Sequence, residues 1–125
     1  MAIDTTNHQV LETYHGTISY YGPDCGGCIS GKTASGYKIS SDITTYKDNT
    51  YGNLRIVAGD YKYPFGTIVR FTYQNGTQEL AILLDRGGVG LSKKYQFDLL
   101  VSSEEESYRR GVSSNTKIEI LRYGY

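Results

Sequence analysis

The stretch "GTIVRFTYQNGTQELAILLD", Gly66 to Asp85, constrains the fold more than any other part of the chain. Two runs rich in β-branched and apolar residues flank Asn75-Gly76, a pair that reads as the type I′ turn of a β-hairpin. The second run ends in five apolar residues, Leu80 to Leu84, followed by "DRGG". Five apolar residues in a row read as a strand buried on both faces, so the hairpin needs partners on each side.

Further strand signals supply them. "GTISYYG" (Gly16 to Gly22), "NLRIVAGD" (Asn53 to Asp60), "YQFDLL" (Tyr95 to Leu100) and "TKIEILRYG" (Thr116 to Gly124) are short, β-rich and mostly bounded by glycine. One helix is expected. "SSEEESYRRG" has Ser103 three residues before Glu106 as a capping box, acids in the first turn, Arg109 and Arg110 in the last, and Gly111 as the stop. Between Lys32 and Tyr51 the chain is polar and reads as a long loop or ragged strand flanking a groove. Short strands, frequent turns and one short helix predict a small, mostly β barrel. At 125 residues the chain fits a single core, with residues 1–15 read as an N-terminal extension and 16–125 as the barrel domain.

Charge and hydropathy exclude several classes. Thirteen Lys plus Arg balance thirteen Asp plus Glu, so no overall field favours nucleic acid or an anionic membrane surface. No run approaches the roughly 18 to 20 apolar residues of a spanning helix, and "MAIDTTNHQV" lacks the marks of a signal peptide. Cys25 and Cys28, in "GPDCGGCISG", leave three readings open: half a zinc site, a redox dithiol, or a loop disulfide or pair of free thiols. Only His8 and His15 are available to complete a zinc site, and the surrounding glycines mark a loop rather than the helix start of a redox motif. No metal or cofactor is expected.

The carboxylates carry the chemistry. Asp60, Asp85 and Asp98 each lie at or within a strand signal, apart from the exposed acidic run Glu104 to Glu106. An acid in such a place is costly to ionise unless paired or hydrogen-bonded, and close acids push one another's pKa values apart, so a set of them holds a proton near neutral pH. Asp98, within "QFDLL", has apolar neighbours on both sides. Asp60 serves equally well as a turn residue. Gly87 and Gly88 allow close backbone approach to a ligand, or form a plain turn. Of the 13 tyrosines, Tyr20, Tyr21 and Tyr37 are candidates for stacking on sugars, although most tyrosines in a β protein pack.

Five segments in order, "TASG" (Thr33 to Gly36), "IVAGD" (Ile56 to Asp60), "PFGTIV" (Pro64 to Val69), "AILLDRGG" (Ala81 to Gly88) and "FDLL" (Phe97 to Leu100), resemble the three-aspartate (3D) domain of bacterial cell-wall proteins. Through it the chain is similar to the catalytic barrel of membrane-bound lytic transglycosylase A. The likeness runs from about Gly16 to Gly124. Arg86 stands where the family usually has Thr, as in the similar rare lipoprotein A branch, and the link Val89 to Phe97 is longer than usual.

The resemblance implies a six-stranded double-psi β-barrel with a groove for peptidoglycan glycan strands. It implies lytic cleavage between N-acetylmuramic acid and N-acetylglucosamine, giving a 1,6-anhydro product, with Asp98 as general acid/base and Asp85 and Asp60 beside it. Thr33, Ser35, Gly36, Tyr20, Tyr21, Arg86, Gly87 and Gly88 are the candidate groove residues. The rival readings are a noncatalytic wall-binding module, a water-using peptidoglycan hydrolase, and an aspartic-protease-like enzyme, for which "LLDRGG" has no second copy. The setting expected is extracellular, in the cell wall or on a phage tail, as one domain of a larger protein.

Overall fold

The computed structural model describes residues 9–23, 31–86 and 96–125. Its strands are β1 (Glu12–Tyr21), β2 (Thr45–Asp48), β3 (Gly52–Gly59), β4 (Ile68–Thr72), β5 (Gln78–Arg86), β6 (Phe97–Leu100) and β7 (Ser113–Arg122), with one helix, α1 (Glu104–Arg110), before β7. Strand order is β2-β3-β5-β4-β7-β1-β6, and β6 also pairs with β3. Six strands therefore close on themselves and β2 adds to the outside of β3. Two neighbouring pairs, β1 with β6 and β3 with β5, are parallel, and the other pairings are antiparallel. This closed six-stranded barrel is the small, mostly β barrel that the sequence predicts, with the double-psi fold that the resemblance implies. Strand β1 opens at Glu12, ahead of Gly16, and pairs from there with β7.

The continuous apolar runs are explained by two cores. Ile18, Val57, Val69, Phe71, Ala81, Leu83, Phe97, Leu99, Ile118 and Ile120, from all six closed strands, fill the barrel. Alternate residues of β3 and β5, namely Leu54, Ile56, Ala58, Ile82 and Leu84, face outward and are covered by Ile39 and Tyr51 of the 31–51 segment. Leu80 to Leu84 thus have apolar neighbours on both faces of the sheet. Gly59 lies where a Cβ would meet Leu83 Cδ1 at 2.7 Å and Phe97 Cε1 at 3.1 Å, so its missing side chain lets these two large residues pack.

Local chemistry sets the connections. Ser103 Oγ accepts the Glu106 amide at 3.1 Å, and Gly111, at φ 68°, donates its amide to Ser107. The Glu106 carboxylate does not return to the cap but pairs with Arg109 and Arg110. The β4–β5 connection differs from the expected type I′ turn. Gly76 is at φ 89°, but Asn75 is not at positive φ. Its side chain instead takes the amide and hydroxyl of Thr77 at 3.0 and 2.7 Å, and a wider loop places only the glycine in the left-handed region.

Besides the pairing of β2 with β3, an ion pair ties the polar 32–51 stretch to β7. Asp48, 7% exposed, receives Arg122 Nη2 at 2.8 Å and Nη1 at 3.1 Å, together with the amides of Thr50 and Tyr51. The Arg122 bonds, with help from the two amides, hold the Asp48 carboxyl below its ordinary value. Asp48→Ala leaves a guanidinium without its partner and two amides without an acceptor. It is expected to cost about 3 kcal/mol in urea unfolding. The stabilisation from Asp48 is complete above about pH 4 and lost only as pH falls through its depressed value, which an acid titration of native and variant chains reads directly.

Candidate functional site

A row of residues crosses the outer wall of the barrel. Ala58 of β3 pairs with Asp85 of β5 on one side and with Asp98 of β6 on the other, and Asp98 in turn pairs with Ser19 of β1. Directly paired residues project to the same face, so the two acids stand on one surface with only an alanine between them.

This depends on a bulge. Val57 pairs with Leu83, yet the next residue, Ala58, pairs with Asp85, so Leu84 is the extra residue. Regular pairing would have set Asp85 opposite Gly59, with its side chain toward the barrel interior. The bulge turns it outward beside Asp98.

Each carboxylate has its own surroundings. Asp85 accepts the Tyr21 hydroxyl at 2.9 Å, the Ala34 amide at 2.8 Å and its neighbour Arg86's amide at 2.9 Å. Asp98 accepts the Ser19 hydroxyl at 3.0 Å. Burial, reinforced by the charges of Glu104 and Asp85 and partly offset by Ser19, pushes the Asp98 carboxyl up to about 6. Tyr21, on the same face of β1 as Ser19, is held in its phenol form by burial and by the nearby acids Asp85 and Asp98. The site therefore contains one rigidly held acceptor, one carboxyl that titrates near neutrality and one phenol.

The surrounding elements explain this precision. Gln96 locks the start of β6 to β1: its side chain accepts the Thr17 amide at 2.7 Å and its amide donates to Thr17 at 3.0 Å. A Cβ at Gly16 would strike that glutamine side chain. The "TASG" turn docks on the end of β5, where Ser35's amide donates to Leu84 at 3.0 Å beside the Ala34 contact. Thr33 Oγ1 bonds Ser35 Oγ and accepts the Tyr37 amide, and Gly36 closes the turn at φ 95°. Thr33 is buried, and the turn's two amides reach the end of β5.

The other candidates divide. Asp60 follows β3, and its carboxylate caps the Tyr61 amide at 2.6 Å. Its carbonyl, with that of Tyr63, accepts Arg86 Nη1, both at 2.8 Å. The Arg86 guanidinium lies 4.2 Å from the Phe65 ring centroid and 4.8 Å from that of Tyr61, which is 82% exposed. Tyr20 is on the opposite face of β1 from Tyr21, bonded to Ser113 and covered by Arg110. Tyr37 donates to the Thr45 carbonyl and packs on Tyr46. Gly87, Gly88, Cys25, Cys28 and His8 lie outside the described residues, and His15 is exposed on β1. Among the described residues no group of three or more His, Cys, Asp or Glu side chains gathers as metal ligands, and no helix is long and apolar enough to cross a membrane.

Ser19, Ala34, Gln96 and Tyr61 were not legible as site residues. Ser19 precedes Tyr21 by two in a strand signal, which places both on one face, but nothing local points to the partner acid. Ala34 contributes only its amide, which no side-chain pattern reveals.

No family model matches the sequence, and no curated protein matches it. Among solved structures the chain is similar to the Streptomyces papain inhibitor (SPI), with a TM-score of 0.59 and 16% identity over 93% of this chain and 100% of that one. The likeness is one of fold. Barrels of this kind serve both enzymes and binding or inhibitory modules, and the fold does not choose between them.

The raised Asp98 value has a direct consequence for stability. Folding favours the protonated carboxyl, so its contribution is complete below about pH 4 and lost as pH rises through about 6. Asp98→Asn does not titrate. It is expected to come close to the native chain near pH 4 and to exceed it by about 3 kcal/mol at pH 7.5 in paired denaturation curves.

Proposed function

We propose that this barrel binds cell-wall glycan strands along its outer wall, over the row Asp85–Ala58–Asp98. One observation carries the reading: two carboxylates on one face, one of them held by three donors, on either side of an alanine. Fixed acceptors at such a spacing suit sugar hydroxyls, and the small residue between them leaves room for a sugar ring. The ligand class comes from the five motif segments that resemble the 3D domain. That a protein of similar fold bears the name of an inhibitor accords with a barrel used for binding without turnover. The setting proposed is the cell wall or a phage tail that meets it.

A second reading, lytic transglycosylation, is favoured by Asp98. A carboxyl near 6 is part protonated at neutral pH and suited to general acid/base work. In that reaction Asp98 gives its proton to the glycosidic oxygen as the C1–O bond breaks. The muramic acid's 6-hydroxyl then attacks the oxocarbenium-like C1, and its proton goes to the Asp98 carboxylate, which is restored to the acid. Asp85, nearby, supports the positive charge at C1. A hydrolase would direct water to C1 instead.

Incubation with purified peptidoglycan sacculi, followed by sedimentation and mass spectrometry of the supernatant, separates these readings. Binding predicts that the chain sediments with the wall and releases nothing, with Asp85→Ala reducing the bound fraction several-fold. Soluble fragments ending in 1,6-anhydro-muramic acid, absent with Asp98→Asn, would establish the transglycosylase, and reducing ends the hydrolase. A chain that neither sediments nor releases fragments overturns both readings.

A further inference from the structure

At one end of the barrel the inward-facing residues change from apolar to polar. Tyr20 pairs with Leu99, Arg55 with Ala81 and Glu79 with Phe71, and each partner belongs to the barrel core, so all three side chains continue the interior face. Tyr73, which packs on that core, donates its hydroxyl to Glu79 Oε1 at 2.7 Å, and Arg55 Nη1 donates to Glu79 Oε2 at 2.6 Å. Over this polar layer lies a cavity of about 430 Å³, walled also by Asn75 and Thr77 of the β4–β5 connection, Ser113 of β7 and Arg110 of α1. Its volume is that of a small-molecule site. It is distinct from the acid row, since Glu79 and Asp85 are separated along β5 by roughly 20 Å of extended chain.

The lining is rich in donors. Asn75 Oδ1 already accepts the amide and the hydroxyl of Thr77 at 3.0 and 2.7 Å, which leaves its NH2 group to donate. The Tyr20 and Ser113 hydroxyls share one hydrogen bond, which uses one of their two protons and leaves the other to be given to a ligand. Arg110 lies with its guanidinium carbon 5.2 Å from the Tyr20 ring centroid, and among the described residues only its Nε is bonded, to Glu106 at 3.3 Å. A ring beneath and a carboxylate at one end thus orient a planar group that has further donors to offer. Charge runs the same way, because Arg55 is matched by Glu79 whereas Arg109 and Arg110 share Glu106, leaving one guanidinium in excess.

A carboxylate meets these conditions. It is flat, accepts two parallel bonds from a guanidinium, and brings one negative charge. Glu79 lines the same cavity and opposes a dianion such as phosphate. We infer that this end of the barrel is a second binding site, which takes the carboxylate of a small polar ligand on Arg110. The Asn75 amide and the spare hydroxyl proton hold the rest of that ligand. The site stands independently of the glycan-binding reading of the outer wall.

Two pairs of acid and neutral ligand test this. N-acetylmuramic acid differs from N-acetylglucosamine by its lactyl carboxylate, and N-acetyl-D-alanyl-D-alanine differs from its C-terminal amide by one charge. Backbone amide resonances of the full chain are followed on titration with each. At least one acid is expected to shift Thr77, Arg110 and Ser113 while its neutral counterpart does not. A response to the muramic acid alone assigns a sugar acid, a response to the dipeptide alone assigns a peptide terminus, and a response to both shows that the carboxylate itself is read. No shift with either acid, equal shifts from acid and neutral ligand, equal shifts from inorganic phosphate, or shifts confined to Ser19, Ala34 and Asp98 overturns the inference.

Two variants separate a direct contact from a general field. Arg110→Gln is expected to weaken the acid that binds by about tenfold, the order of one hydrogen bond to a charged group. Arg109→Gln removes the same charge from the same helical turn but from outside the cavity. It is expected to change that affinity by no more than about twofold, the order of an exposed charge. Equal weakening by both variants, or none with Arg110→Gln, overturns the assignment of the carboxylate to Arg110.

Discussion

The four-residue strand β6 is the element on which the rest depends. It pairs in parallel with β1 and antiparallel with β3, and these two sets of hydrogen bonds close the barrel. The same strand places Phe97 and Leu99 in the interior and Asp98 on the outer wall. Closure of the core and position of the acid are one constraint, so Asp98 cannot move without opening the ring. Gln96 strengthens it by fastening the start of the strand to Thr17.

Burial outside the barrel makes the site what it is. The 31–51 segment lies over the outward faces of β3 and β5, and Asp48 with Arg122 ties it to the last strand. Without that cover the outer wall would be an exposed apolar sheet. With it, the Thr33–Gly36 turn meets the end of β5 and brings two amides to Leu84 and Asp85. The cover adds to the difference between the acids, since its Ala34 amide joins the Tyr21 hydroxyl and the Arg86 amide on Asp85, whereas Asp98 receives one hydroxyl and remains costly to ionise.

The fold places no limit on whether such a surface turns over its ligand. Two acids on one face serve a binder by accepting sugar hydroxyls, and serve an enzyme when one of them carries a proton at the working pH. Asp98 meets the second condition and Asp85 is arranged to meet the first. On the glycan reading proposed above, binding and catalysis would differ by the approach of a glycosidic oxygen to one carboxyl group.

Much of the fold was legible because its cause is local. Apolar runs bounded by glycine marked the strands β1, β3, β4, β5, β6 and β7, and Ser103, the charges and Gly111 marked α1. The hairpin was legible but its turn type was not, because an asparagine side chain bonded to Thr77 and no dipeptide reports that. Asp85 and Asp98 were visible as acids in strand signals, but their meeting was not. It requires β3 to lie between their strands and one extra residue, Leu84, to turn Asp85 from the interior to the wall. Tyr20 and Tyr21 were equal in sequence, and the alternation of a strand with one face to the site separates them. The sequence by itself determined which segments become strands, because periodicity and turn chemistry act over a few residues. Only the tertiary structure decided which acids share a face, because register and bulges are set by packing between strands distant in the chain.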